Sequence, residues 1–169
     1  MSHFDATGID INSKGTSGFS GLHFSCAAGD RYFEHVSLLL RVAEERAIDL
    51  NANDNDGRTA FSKFCNLSLN RNRELALRFL RLLPIDKNGN TRFHVVCLNG
   101  GSRLLSSFMN KSIDISTKNN EGNTGFHLFC KTRIDEPKMF ILLIELYHEQ
   151  GIDINAKNNE GNTGFHMAC

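Results

Sequence analysis

Five copies of one heptapeptide restrict this 169-residue chain more than any other feature it has. They read Ser20-Gly-Leu-His-Phe-Ser-Cys26, Thr59-Ala-Phe-Ser-Lys-Phe-Cys65, Thr91-Arg-Phe-His-Val-Val-Cys97, Thr124-Gly-Phe-His-Leu-Phe-Cys130 and Thr163-Gly-Phe-His-Met-Ala-Cys169. Each of the five cysteines closes one copy, so successive cysteines lie 39, 32, 33 and 39 residues apart. A second block precedes the first: Ile9-Asp-Ile-Asn-Ser13, Ile48-Asp-Leu-Asn-Ala52, Ile113-Asp-Ile-Ser-Thr117 and Ile152-Asp-Ile-Asn-Ala156. Its Asp stands ten residues before the heptapeptide's Ser or Thr in all four, so length varies elsewhere in the unit. Residues 118–127 and 157–166 are identical, the mark of a duplicated unit. A period near 33 residues means small units that bury their apolar faces only against their neighbours.

Local chemistry divides each unit into a turn and two helices. Gly57, Gly89, Gly122 and Gly161 stand two residues ahead of a Thr, where a turn can take positive φ and an N-cap can follow. The first helix carries an apolar stripe at i, i+3, i+4: Phe61, Phe64, Cys65, then Phe93, Val96, Cys97, then Phe126, Phe129, Cys130. Asn99-Gly100-Gly101 or Ala28-Gly29-Asp30 stops it. A second helix carries Val36 to Leu40, Leu75 to Leu80, Leu104, Leu105, Phe108 and Met109, or Phe140 to Leu146. The extra length of two units falls around Arg31-Tyr32-Phe33 and Arg133 to Pro137, and in a longer second helix. The Ile-Asp block is missing where Leu82-Leu-Pro-Ile-Asp86 runs almost straight to Gly89, so one finger should be shortened.

The heptapeptide resembles the ankyrin-repeat motif Thr-Pro-Leu-His-x-Ala. Thr, an apolar residue and His are kept, Pro becomes Gly21, Ala60, Arg92, Gly125 or Gly164, and Leu is mostly Phe. The resemblance covers essentially the whole chain. It implies an all-α solenoid of stacked helix-turn-helix units with short hairpin-like finger loops. The units are expected at 17–55, 56–87, 88–120 and 121–159, with the end of a partial unit at 1–16 and a truncated one at 160–169. Both ends fall inside a unit, so the chain is expected to be a piece of a longer array. The same resemblance implies that Thr59, Thr91, Thr124, Thr163, His23, His94, His127 and His166 are structural, hydrogen-bonding within and between units. Ser62 departs from the pattern and loses one such tie. Finger asparagines of this family can be hydroxylated, and the matching positions are Asn12, Asn51 and Asn155, while Ser116 departs.

Composition narrows the function. With 40% apolar and 22% charged residues the chain can fold as an ordinary soluble protein, and 13 Phe, no Trp and two Pro suit helices better than an all-β sandwich. Nineteen basic residues balance nineteen acidic ones, leaving no general field for nucleic acid or an anionic membrane. The longest apolar runs, such as Met139 to Ile144, fall far short of a membrane span, and the first residues do not form a signal peptide. The expected compartment is the cytosol or nucleus. The cysteine spacing is no disulfide framework.

His-x-x-Cys recurs as His23/Cys26, His94/Cys97, His127/Cys130 and His166/Cys169, but pairs on layers about 8–10 Å apart do not converge as tetrahedral zinc ligands. No catalytic group, metal or cofactor is expected, because a catalytic residue is needed once beside a nucleophile, not once per repeat. Asn66-Leu-Ser68 and Asn110-Lys-Ser112 match the glycosylation pattern and are expected to be idle. Arg71, Arg73, Arg78 and Arg81 are expected to form a solvated outer face.

What remains is a protein-interaction scaffold that binds an unknown protein, without small-molecule substrate, through its fingers and first helices. Polar finger residues Asn53, Asn55, Asp56, Arg58, Lys87, Asn90, Asn120, Glu121, Asn123, Asn159, Glu160 and Asn162 are candidates. Among them Asn120, Glu121, Asn123, Asn159, Glu160 and Asn162, with Asp56 and Arg58, are expected to touch the partner. The alternative is a structural spacer within a larger protein.

Overall fold

A computed structural model describes residues 10–68, 72–99, 102–105, 108, 114–132 and 137–168. Among the described residues the secondary structure is helical, and a single antiparallel bridge joins Asn53 to Thr59 without forming a strand. No helix there is long and apolar enough to cross a membrane. The chain divides into two compact units, Met1–Leu82 and Leu83–Cys169.

The first unit holds α1 (Gly21–Ala27), a 3-10 turn (Gly29–Tyr32), α2 (Phe33–Glu45), α3 (Ala60–Ser68) and α4 (Arg73–Leu82). Helix α1 packs on α3 and α2 on α4. The stripe expected for the first helix is the core: Phe61 and Phe64 are fully buried and meet Phe79 of α4, the Phe61 and Phe79 rings 5.1 Å apart. The extra length at Arg31-Tyr32-Phe33 is the 3-10 turn and the start of the 13-residue α2, not an irregular loop. On the outer helices Arg78 is engaged rather than merely solvated, its Nη2 lying 3.3 Å from Glu44 Oε1 of α2.

The second unit holds α5 (Arg92–Leu98), α6 (Ser102–Leu105), α7 (Gly125–Thr132), α8 (Pro137–Glu149) and α9 (Gly164–Met167). Helices α5, α7 and α9 pack in chain order, and α6 packs on α8. Pro137 opens α8 at the first helical position, where its missing N–H costs nothing. Phe93, Phe126 and Tyr147 form a buried aromatic column, with Phe108 edge-on to Phe93 although it lies outside the helix expected to carry it. Phe165 of α9 is 43% exposed and still meets Phe126 edge-on. Met109, Gly100-Gly101, Arg133–Glu136, Arg71, Ile9, Ile113 and Cys169 lie outside the described residues, as do Asn110–Ser112 and the side chain of Asn66.

Packing explains the glycine at the second heptapeptide position in two copies, Gly125 and Gly164. A methyl group at Gly125 would overlap the Phe93 ring, and one at Gly164 would overlap the Phe126 ring. Where the preceding copy has the smaller Leu22, the following one has Ala60. At the Phe93–Gly125 and Phe126–Gly164 steps the second position of the next copy is therefore kept free of a side chain by the ring before it, while Phe61 is followed in the sequence by Arg92 and departs from that match.

Candidate functional site

Each turn is organised by an Asx residue three positions before its glycine. The Oδ1 atoms of Asp54, Asp86, Asn119 and Asn158 each accept two backbone N–H bonds from their own turn, at 2.8–3.0 Å. The chain then reverses with Gly57, Gly89, Gly122 and Gly161 at φ 75, 76, 76 and 81°. A Cβ at Gly89 would meet the Asn120 amide, and one at Gly122 the Asn159 amide, so those glycines answer to close approach as well as to φ. The expected hairpin-like fingers are thus tight turns without strands. The turn at Asp86–Asn90 has the same geometry as the rest, so the shortened finger lacks only the block before it.

Beyond the turn, the His residue determines its own tautomer. In α1 and α5 the Ser20 or Thr91 side chain accepts the backbone N–H of His23 or His94, while the cap's own N–H donates to the imidazole Nδ1, a capping box with His in place of Glu. Thr124 and Thr163 donate to His127 and His166 Nδ1 in the same way. A backbone N–H can only donate, so Nδ1 is an acceptor and the proton sits on Nε2. Nε2 then donates to a carbonyl of the following turn: Arg58 O at 3.2 Å from His23, Asn123 O at 2.9 Å from His94, Asn162 O at 2.9 Å from His127. Burial pushes the pKa of His23, His94 and His127 down, against smaller upward pulls from those carbonyls. With both ring nitrogens occupied, these imidazoles have no lone pair left for a metal or for general-base work.

Successive turns are also linked by amides. Asn120 donates its N–H to Asn88 O and its Nδ2 to Lys87 O, and Asn159 does the same to Glu121 O and Asn120 O. Asn55 donates to Ser17 O and Thr16 O. Asn119 Nδ2 donates to Asn90 Oδ1, and Asn158 Nδ2 to Asn123 Oδ1, both at 2.9 Å and both buried.

These networks correct part of the expected binding surface. Asn123 is buried, its Nδ2 donating to Glu121 Oε2, its Oδ1 accepting from Asn158 and its carbonyl from His94. Asn90 is buried as well. A two-sided amide is what a turn-to-turn link needs, so these asparagines face inward. Asn120 and Asn159 are exposed with their amides committed to the preceding turn, and Asn162 is half-buried, donating to Glu160 Oε2 at 3.1 Å. Glu121, Glu160, Asp56 and Arg58 are exposed. Of the asparagines matched to hydroxylation, Asn12 is half-buried and bonded to Ala47 O and Asp49 N–H, Asn51 is half-buried, and Asn155 is exposed.

Asp54, Asp86, Asn119 and Asn158 are not among the residues expected at the site. Their signal was an unbroken Asx three residues before each turn glycine. Asp54 has a further partner: its Oδ2 lies 2.7 Å from Lys63 Nζ, which sits 4.3 Å over the Phe19 ring. Burial works to raise the Asp54 carboxyl, but Lys63 and the N–H groups of Arg58 and Asp56 hold it below its ordinary value.

No protein-family model matches the chain, and no curated protein matches it.

Cys26, Cys65, Cys97 and Cys130 are unpaired and buried in the apolar stripe. Burial pushes Cys26 up to about 12 and Cys130 up to about 11, and raises Cys65 and Cys97 well above the ordinary thiol value. A thiol kept protonated is a small hydrophobe, not a nucleophile. Among the described residues no three His, Cys, Asp or Glu side chains are grouped so as to hold a metal ion.

Proposed function

We propose that the chain is an ankyrin-type repeat array that works by binding a protein and not by catalysis, with the turn row as its binding face. The observation that carries this reading is the row of turns itself. Glu121 and Glu160 are exposed, and each receives the amide of Asn123 or Asn162 in its own turn. Such carboxylates are held in place before a partner arrives, which lowers the ordering cost of binding. Asp56 and Arg58 are the exposed candidates on the turn of the first unit. The histidine-to-carbonyl bonds of His23, His94 and His127 support a structural role for the repeated His.

A second reading, a structural spacer in a larger protein, draws on a different observation. Asn120 and Asn159 use their amides on neighbouring turns, which leaves few free groups to distinguish one partner from another.

The test compares the wild type with Glu121→Lys/Glu160→Lys and with Arg81→Glu on an outer helix, after circular dichroism shows equal folding. Proteins enriched by wild type and Arg81→Glu but lost by the double variant support the binding face. Loss only in Arg81→Glu moves the site to the outer helices, and no enrichment by any version favours the spacer.

A further inference from the structure

Inside each unit, three devices tie one repeat to the next. An imidazole Nε2 of His23, His94 or His127 reaches a carbonyl of the following turn. An asparagine two residues before the turn glycine, Asn55, Asn120 or Asn159, donates its N–H and its Nδ2 to the preceding turn. A glycine after the cap, Gly125 or Gly164, makes room for Phe93 or Phe126, and the small Ala60 stands at the same position on α3, which packs on α1.

At one step of the sequence all three residue types change together. Ser62 stands where the imidazole belongs, and its short hydroxyl bonds Thr59 Oγ1 in its own cap, 3.1 Å away. Lys87 stands in the asparagine position, and an ammonium has no acceptor and cannot copy an amide. Arg92 stands in the small position and turns its Nε back to Leu83 O at 3.3 Å. These three positions bracket the division between Leu82 and Leu83. In a stack whose stability is a sum of unit and nearest-neighbour terms, cooperativity extends only as far as the neighbour terms are strong.

We propose that the replacements at Ser62, Lys87 and Arg92 break the folding cooperativity of the chain there, so that Met1–Leu82 and Leu83–Cys169 open as separate units. This holds whether or not a partner binds the turn row, so its failure leaves the binding reading standing.

Hydrogen exchange read by mass spectrometry on the full chain tests it. Phe79→Ala removes a fully buried ring from α4 and should speed the slowest amides of α2 and α4 by roughly 100-fold or more. Those of α7 and α8 should change by no more than about twofold, within the scatter expected of independent sites. If Phe79→Ala unfolds its unit outright, unchanged protection in α8 supports the proposal equally. Equal acceleration of both sets in Phe79→Ala would overturn it. The variant Ser62→His/Lys87→Asn/Arg92→Gly restores the missing residue types. Phe79→Ala placed in that background should speed α8 exchange by about tenfold or more. Two sets that still open independently would overturn the assignment of the break to these three side chains.

Discussion

In the first unit the organiser of the Asp54–Arg58 turn is charged, while in the second unit, after a first turn organised by Asp86, the turns at Asn119–Asn123 and Asn158–Asn162 are organised by a neutral amide. The backbone is the same in both: the first residue's N–H bonds the fifth residue's carbonyl at 2.8–2.9 Å, and a positive-φ glycine makes the reversal. What differs is the second oxygen or nitrogen of the organiser. Asp54 Oδ2 faces Lys63, whereas Asn119 and Asn158 turn an Nδ2 toward the amide oxygen of the preceding turn. One solution is ionic and self-contained beside α3; the other is a ladder of amides from turn to turn. The apolar steps differ in parallel, Leu22 with Ala60 in one unit and Phe93 with Gly125 and Phe126 with Gly164 in the other. A single backbone turn thus accepts two chemistries, provided that each buried polar atom finds its complement.

Exchanging the organisers should give the largest effect. Asp54→Asn leaves the Lys63 ammonium, 11% exposed, without its counter-charge, and should cost about 3–5 kcal/mol in urea unfolding. Adding Lys63→Met should recover most of that loss, because replacing a buried pair by apolar groups is close to neutral. Asn119→Asp places a carboxylate against Asn90 Oδ1 and removes a donor, for a loss of about 3 kcal/mol. An Asp54→Asn variant as stable as wild type would show that the ionic turn is no tie at all.

The size match should come next. Gly125→Ala is expected to cost about 1–3 kcal/mol by overpacking against Phe93, and Phe93→Leu in the same chain should relieve it. In the first unit Leu22→Phe should create the same overlap and Ala60→Gly should remove it. Additive effects in either double variant would dissolve the pairing rule.

Acid should weaken both units through their histidines. The pKa of His23, His94 and His127 is lowered on folding, so their contribution is complete above the unfolded value of about 6.5 and is lost as pH falls below it toward the folded values. The melting temperature should therefore drop between pH 7.5 and 5.5, and nitrogen NMR should find the Nε2–H tautomer at pH 7.5. The first unit should lose further stability below about pH 3.9, where protonation of Asp54 takes away a carboxyl that folding holds ionised. A flat profile from pH 7.5 to 5.5 would mean that the imidazoles are not held neutral.

The smallest difference lies between thiols of the two units. Cys26, raised to about 12, should label more slowly in the folded protein than Cys130, raised to about 11, and both far more slowly than after denaturation. Cys130 slower than Cys26 would reverse the burial order.

Much of this was legible in the sequence because local rules act on single residues. The positive-φ glycines, the Thr caps and the i, i+3, i+4 stripe need only their own segment to be recognised, and Phe61, Phe93 and Phe126 are buried as their spacing requires. The candidate site was legible only in part. Asn123 and Glu121 look alike as polar turn residues, yet one is buried and the other exposed. Nothing within the turn distinguishes them, since the buried one is decided by an Asn158 that lies 35 residues further on. The same holds for Asp54: an Asx before a glycine reads as turn chemistry until Lys63 is brought beside it.

By itself, then, the amino-acid order determined the repeat, the helical class, the place of each turn and the identity of the inward stripe, all properties of short-range sterics and periodic burial. Tertiary structure alone decided which turn amides face inward, which tautomer each imidazole adopts and why Gly125 follows Phe93 and Gly164 follows Phe126. Those choices depend on a donor, an acceptor or a ring edge supplied by the neighbouring repeat, and hydrogen-bond complementarity and steric overlap exist only once the two segments lie side by side.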